Sequence, residues 1–357
     1  MTRNIKLILA AGAAAAVLLA AAFSFLNRAS RAEEGRFDWQ TIMNAIGTRG
    51  YDAAVSELEA RLAAHPKDAL LHYYRARLYY EDGKAEAALR EADAAISLGY
   101  AQEISHALKG LVHGRLSGDY AAQLALASKA ITYDPTYDFP YLLRAEAAYK
   151  LGDYKACAAD ARSYQQMRPR DKDGYEYGLL CLGELRDYAG AEAAALRVLK
   201  LDPRSHPALW RLGRLYAAQG RHGLAAEKFA AAVKLSGGRP QYHLDHAASC
   251  AAAGDFSCEA WEYYSAMSWR EVSGYASYYH LLGSALYRSG DLGPGAEAAE
   301  SAVKLAPLDP AGYSLRGRIR ADAGDAAGAR RDFARMSELD PSLAEEAAAL
   351  AARLKRK

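Results

Sequence analysis

The chain has 357 residues, 51% of them hydrophobic, and a formal net charge of +2 with acids and bases interspersed. That is enough chain for two ordinary domains or one long array, and the charge balance speaks against a dedicated nucleic-acid binder, which concentrates basic residues on one face. Its cysteines, Cys157, Cys181, Cys250 and Cys258, form no CxxC, so neither a zinc ribbon nor a thioredoxin-type motif is supported.

Arg3 and Lys6 precede an uncharged apolar run from Leu7 to Leu26. As a helix rising about 1.5 Å per residue, the run reaches about 30 Å, the thickness of a bilayer core. Residues 1–26 are therefore expected to be a membrane anchor or a signal peptide. The run is longer than the roughly 7–15 residues of a usual signal core, yet Ala20-Ala21-Ala22 offers an A-x-A-like cleavage site. Arg3, Lys6 and the amino terminus favour an inside N-terminus, and Arg28, Arg31 and Arg36 pull the other way. The cleavage-like site and the short N-terminal tail point to export of the body. It is expected in the periplasm on an inner-membrane anchor, or periplasmic or secreted after cleavage. Residues 27–36 read as a polar linker.

From residue 35 onwards the chain is punctuated at a fixed interval. Gly152, Gly220 and Gly254 fall on a 34-residue lattice with Arg186 in the vacant slot, and Gly290 and Gly324 are again 34 apart. Pro135, Pro169 and Pro203 keep the same spacing, as do Pro307 and Pro341. A fixed period in this range means stacked supersecondary units. Each reads as two helices joined by a tight turn, with glycine ending the first helix and aspartate capping the second at Gly152-Asp153, Gly254-Asp255 and Gly324-Asp325. Small residues such as Ala145, Gly213, Ala225 and Gly283 let paired helices approach, with Tyr216, Phe229 and Phe333 filling the gaps. The units are 35–68, 69–102, 104–137, 138–171, 172–205, 206–239, 240–275, 276–309 and 310–343. The amphipathic stretch 344–357 follows as a capping helix with a basic tail. No unit buries its apolar face alone, so neighbours must stack.

At Leu209-xx-Leu212-Gly213-xx-Tyr216 followed by Ala225-xxx-Phe229, the chain resembles the tetratricopeptide repeat family. Leu209 takes the family's tryptophan slot and Gly237 its closing-proline slot. Tyr279, Leu282 and Gly283 fill the slots in a later unit, and Tyr313, Gly317, Ala329, Phe333 and Pro341 in another. The resemblance spans residues 35–343. It implies an all-α, right-handed superhelix of about nine units that is not an enzyme, takes no cofactor, and binds a protein or peptide on the concave surface lined by each unit's first helix. With the tether, it implies a scaffold in envelope assembly or secretion. The alternatives are a self-associating array, or a metal- or redox-linked protein using the seventh unit.

On that surface the resemblance places Tyr73, Arg77 and Tyr80 in the second unit, Tyr149 and Tyr177 in the fourth and fifth, Trp210 and Arg214 in the sixth, and Tyr287 in the eighth. Lys109, Phe139, Glu146, Arg211 and Arg318 accompany them. Aromatic residues and arginine are the usual anchors of binding patches, and Trp210 and Arg214, four apart, share a helix face. Cys250 and Cys258 flank the Gly254 turn on antiparallel helices, which makes them a disulfide pair if the body is exported; Cys157 and Cys181 come from adjacent units. His243, His246, Cys250 and Cys258 are residue types that bind zinc. The reading preferred here is packing, with both histidines facing neighbouring units, so no metal is expected.

Overall fold

The computed structural model describes residues 39–267 and 275–354. Among these residues there are nineteen α-helices and no strand. Eighteen of the helices pair in chain order as nine hairpins. The first four are α1 (Trp39–Arg49) with α2 (Tyr51–Ala64), α3 (Ala69–Glu81) with α4 (Ala85–Ser97), α5 (Gln102–Ser117) with α6 (Tyr120–Tyr133), and α7 (Phe139–Leu151) with α8 (Tyr154–Met167). Next come α9 (Asp173–Glu184) with α10 (Tyr188–Leu201), α11 (His206–Ala218) with α12 (His222–Ser236), and α13 (Pro240–Ala252) with α14 (Phe256–Ala266). The last two are α15 (Ala276–Ser289) with α16 (Leu292–Leu305), and α17 (Pro310–Asp322) with α18 (Ala326–Leu339). A final helix, α19 (Ala344–Arg353), and the Leu354 that follows it pack Ala347, Leu350 and Leu354 against Ala329, Phe333 and Met336 of α18, closing the last hairpin. This is the all-α stacked-hairpin architecture of an α-solenoid. The chain forms two compact units, one ending at Ala191 and the other beginning at Glu192.

The apolar run Leu7–Leu26, the linker 27–36 and residues 355–357 of the basic tail lie outside the described residues. Among the described residues, no helix is long and apolar enough to cross a membrane.

Local chemistry explains the hairpins. Gly152 stops α7 with a left-handed φ of 83°, and the Asp153 carboxylate then accepts from the Ala156 N–H at 3.0 Å to start α8. Asp255 and Asp325 cap α14 and α18 in the same way, at 2.9 and 2.8 Å. Close approach is built at Gly317, where a Cβ would stand 2.5 Å from the Phe333 ring. Two further devices recur. A tyrosine six residues after the inter-hairpin proline donates to that proline's carbonyl: Tyr141 to Pro135 at 3.1 Å, Tyr175 to Pro169 at 3.3 Å and Tyr313 to Pro307 at 3.1 Å. An arginine on the first helix also holds an acid sixteen residues later on the second. Arg75 meets Glu91 at 2.7 Å, Arg144 grips Asp160 at 2.7 and 2.8 Å, and Arg316 grips Asp332 at 2.6 and 3.1 Å.

Candidate functional site

The residues expected on the first-helix surface have unequal environments. Tyr73 and Arg77 on α3 are only 6% and 7% exposed. Tyr73 packs against Tyr74 and Tyr100, ring centroids 5.9 and 5.1 Å away, and the Arg77 guanidinium sits 3.9 Å from the centre of the Trp39 ring. Both serve the interior of the first unit. Tyr80, Arg115, Glu146 and Tyr177, from α3, α5, α7 and α9 in turn, form one polar row. Glu146 is its hub. It accepts from Arg115 Nε at 3.0 Å and from Gln123 Nε2 of α6 at 3.1 Å, and Tyr177 hydrogen-bonds to it. Burial raises the phenols of Tyr80 and Tyr177, so both stay neutral donors. Tyr149 packs on Tyr154 with centroids 5.8 Å apart.

In the second unit, Trp210 and Arg214 are brought together as their spacing implies, with the guanidinium 5.1 Å from the indole centre. Tyr242 stacks on the same indole at 5.3 Å, and the indole N–H donates to Asp245 Oδ2 at 2.6 Å. The tryptophan's polar handle is therefore already occupied. Tyr287 donates to Asp322 Oδ2 at 2.6 Å.

The seventh hairpin gathers the titratable groups. Cys250 on α13 and Cys258 on α14 are bonded across the Gly254 turn with Cα atoms 5.8 Å apart. Cys157 and Cys181 are bonded between the fourth and fifth hairpins at 6.0 Å. Both separations fall in the range of roughly 4.4–6.8 Å that a bridge needs. His243 and His246, expected to face neighbouring hairpins, also have a partner in their own. Both meet Glu262 of α14 in their own hairpin, His243 Nδ1 at 2.5 Å from Oε2 and His246 Nδ1 at 3.2 Å from Oε1. Burial works to raise the Glu262 carboxyl, but the hydrogen bonds from the two histidines outweigh it and carry it down to about 2. Glu262 was not singled out from the sequence. The available signal was its place sixteen residues after His246, the spacing that joins Arg144 to Asp160.

Just beyond this cluster is an open cavity of about 580 Å³. Ala260, Trp261, Tyr264 and Met267 wall it from α14 and the residue that follows it. Tyr279, Leu282 and Leu286 of α15 and Pro294 and Ala298 of α16 complete its apolar lining. Trp261 is 66% and Tyr264 65% exposed, and they stack with centroids 6.3 Å apart. Asp291, Glu297, Ser257 and Ser301 supply its polar lining, and among the described residues no basic side chain lines the cavity. Trp261 and Tyr264 were absent from the sequence-based set because the resemblance confines that set to each unit's first helix, and both lie on a second helix.

Three segments of the chain, residues 42–102, 182–240 and 280–344, match a family model described as Tetratricopeptide repeat, and together they make up more than half of the chain. A curated relative, the Tetratricopeptide repeat and J domain-containing co-chaperone DNJ1 of Cryptococcus neoformans, is 27% identical over 165 residues. That match covers 43% of this chain and 31% of the relative, so the chain spans about a third of that protein's length. Among solved structures, the C-terminal part of a TPR repeat-containing protein from Cytophaga hutchinsonii is similar over 78% of this chain and 99% of that one, at 15% identity and a TM-score of 0.48. A tetratricopeptide repeat protein from Parabacteroides merdae is similar over 70% and 98%, at 15% identity and a TM-score of 0.46.

Proposed function

The chain belongs to the tetratricopeptide repeat family, a family of protein-interaction scaffolds, and from that premise we propose that it is a non-catalytic scaffold holding one partner protein by an apolar segment flanked by basic residues. The observation that carries this reading is the Trp261–Tyr264 pair, two large aromatics left in water at a mainly apolar cavity that two carboxylates also line. Aromatics placed this way are typical binding anchors, and concave apolar sites with a few convergent polar groups are typical ligand sites. The lining carboxylates of Asp291 and Glu297 favour a cation beside the inserted apolar side chain.

The test is selection from a displayed random-peptide library on the full chain. Apolar residues next to Lys or Arg should be enriched, and Trp261→Ala with Tyr264→Ala should weaken the selected peptides at least tenfold with helicity intact. Unchanged affinity in that variant sinks the cavity reading. If Trp210→Ala with Arg214→Ala produces the loss instead, the ligand lies along the first helices.

For location, we propose that residues 1–26 tether or export the body across a membrane into an oxidising compartment, where the scaffold serves envelope assembly or secretion. Two features support this: the uncharged Leu7–Leu26 run and the pairing of all four cysteines in two bridges, which persist chiefly outside reducing compartments. Fractionation with thiol trapping tests it. Four freely alkylated thiols in a soluble cytoplasmic fraction would overturn it.

A further inference from the structure

We infer that the Cys250–Cys258 bridge is a reducible cover on a metal site: its dithiol form, with His246, binds one thiophilic divalent cation such as Zn²⁺. The site is distinct from the aromatic cavity, and the inference does not depend on what that cavity holds.

The argument begins with a substitution in the repeat. At the sixteen-residue slot, Arg144 and Arg316 neutralise a buried acid. In the seventh hairpin the acid is Glu262 and the residue in the arginine's place is His246. Arginine carries donors only, whereas a neutral imidazole whose Nδ1 faces a carboxylate keeps a lone pair on Nε2. That Nε2 is 3.7 Å from Cys258 Sγ. His246, Cys250 and Cys258 offer one nitrogen and two sulfurs, all within 4.8 Å of one another. His246 and Cys250 are one helical turn apart on α13 and share a face, and Cys258 enters from α14 just across the turn. Two thiolates and an imidazole suit Zn²⁺ or another thiophilic ion, and a carboxylate behind the ligating histidine is the usual orienting arrangement. His243 takes the other Glu262 oxygen at 2.5 Å, which fixes the carboxylate.

The two bridges differ in access. Cys157 and Cys181 are both fully buried, whereas Cys258 is partly exposed. The Cys250–Cys258 loop closes a sequence separation of only 8 residues, and short loops gain the least from cross-linking. A dithiol reductant delivers two electrons to this S–S bond and is itself oxidised to its disulfide, leaving two thiols. Each thiol then gives its proton to solvent as the cation binds, so loading releases two protons.

The experiment is a cobalt titration of the full chain before and after treatment with a phosphine reductant, which is oxidised to its phosphine oxide and brings no competing thiol. The reduced wild type should take up one Co²⁺ per chain, showing thiolate charge-transfer and tetrahedral visible bands that Zn²⁺ abolishes; the oxidised protein should show neither. Cys157→Ser with Cys181→Ser should keep the bands. Cys250→Ser with Cys258→Ser should remove the charge transfer, His246→Ala should shift the visible bands, and Glu262→Gln should weaken binding about 10–100-fold. Absence of the bands in reduced wild type overturns the site. So does a charge-transfer spectrum that survives in the Cys250→Ser, Cys258→Ser double variant, or visible bands unmoved in His246→Ala.

Discussion

Position 186 breaks the glycine lattice, yet its backbone obeys it. Arg186 has a φ of 58°, left-handed where the other turns use glycine, and its N–H bonds the Gly183 carbonyl at 3.0 Å. An L-residue in that region costs about 1–2 kcal/mol, while glycine gives back about 0.4–1 kcal/mol through the unfolded chain. The strain is the larger effect, so Arg186→Gly should stabilise by about 0.5–1 kcal/mol, seen as a raised urea midpoint at unchanged slope; a lowered midpoint would mean the arginine side chain contributes more than its backbone costs. Asp173 is a second poised residue. Burial, then the charges of Asp171 and Glu176, raise its carboxyl to about 6 from an ordinary value of 3.8. The folded state then binds the proton more tightly than the unfolded one, so stability is fullest below about pH 4 and declines as pH rises through 6. Asp173→Asn removes the titration. After discounting for partial exposure, it should gain about 1 kcal/mol at pH 7, with the stability slope between pH 4 and 6 reduced.

Between residue and element, what the sequence made legible was whatever acts locally. Gly152 and Asp153 shape the backbone within a turn, so their spacing alone located a hairpin. The acid slots were not legible, because Asp160 and Glu262 acquire meaning only when two helices are set side by side in register. The bridge at Cys250 and Cys258 lay near the surface of the sequence, since a known turn separates them. The exposure of Trp261 did not, because helical spacing cannot say which flank a neighbouring hairpin covers. Nor does helical spacing show that Tyr141, Tyr175 and Tyr313 are latches on proline carbonyls. The slot can be weighed directly. Asp160→Ala leaves Arg144 half-buried without its bidentate acceptor and should cost about 2 kcal/mol, below the 3–5 typical of fully buried pairs because the arginine side chain keeps 28% exposure. Arg144→Met with Asp160→Leu should come back to within about 1 kcal/mol of wild type in denaturant unfolding, since a well-packed apolar pair replaces an ion pair at little loss. A double variant as unstable as Asp160→Ala would show that the charges themselves matter.

At the scale of the molecule, each compact unit is built of hairpins packed on their neighbours, so the stability of a unit should behave as a sum of its hairpins and their interfaces. The sixth hairpin, α11 with α12, tests this within the second unit. Its ties outward are specific: Trp210 to Asp245, Tyr216 to Glu192 at 2.7 Å, and His206 to the Tyr242 hydroxyl at 3.1 Å. Deleting residues 206–239 removes one full 34-residue period, so α13 arrives after α10 at the place α11 held, with its own N-terminal proline, Pro240, near where Pro207 stood. The interface so created lacks those hydrogen bonds but keeps the small-residue register that lets hairpins nest. The deleted chain should therefore retain its helicity per residue by circular dichroism and unfold at lower urea. Its slope should fall by about a tenth, in proportion to the surface removed. Loss of helicity well beyond the deleted residues would show instead that the second unit folds as one indivisible block, with the sixth hairpin as its keystone rather than one interchangeable layer.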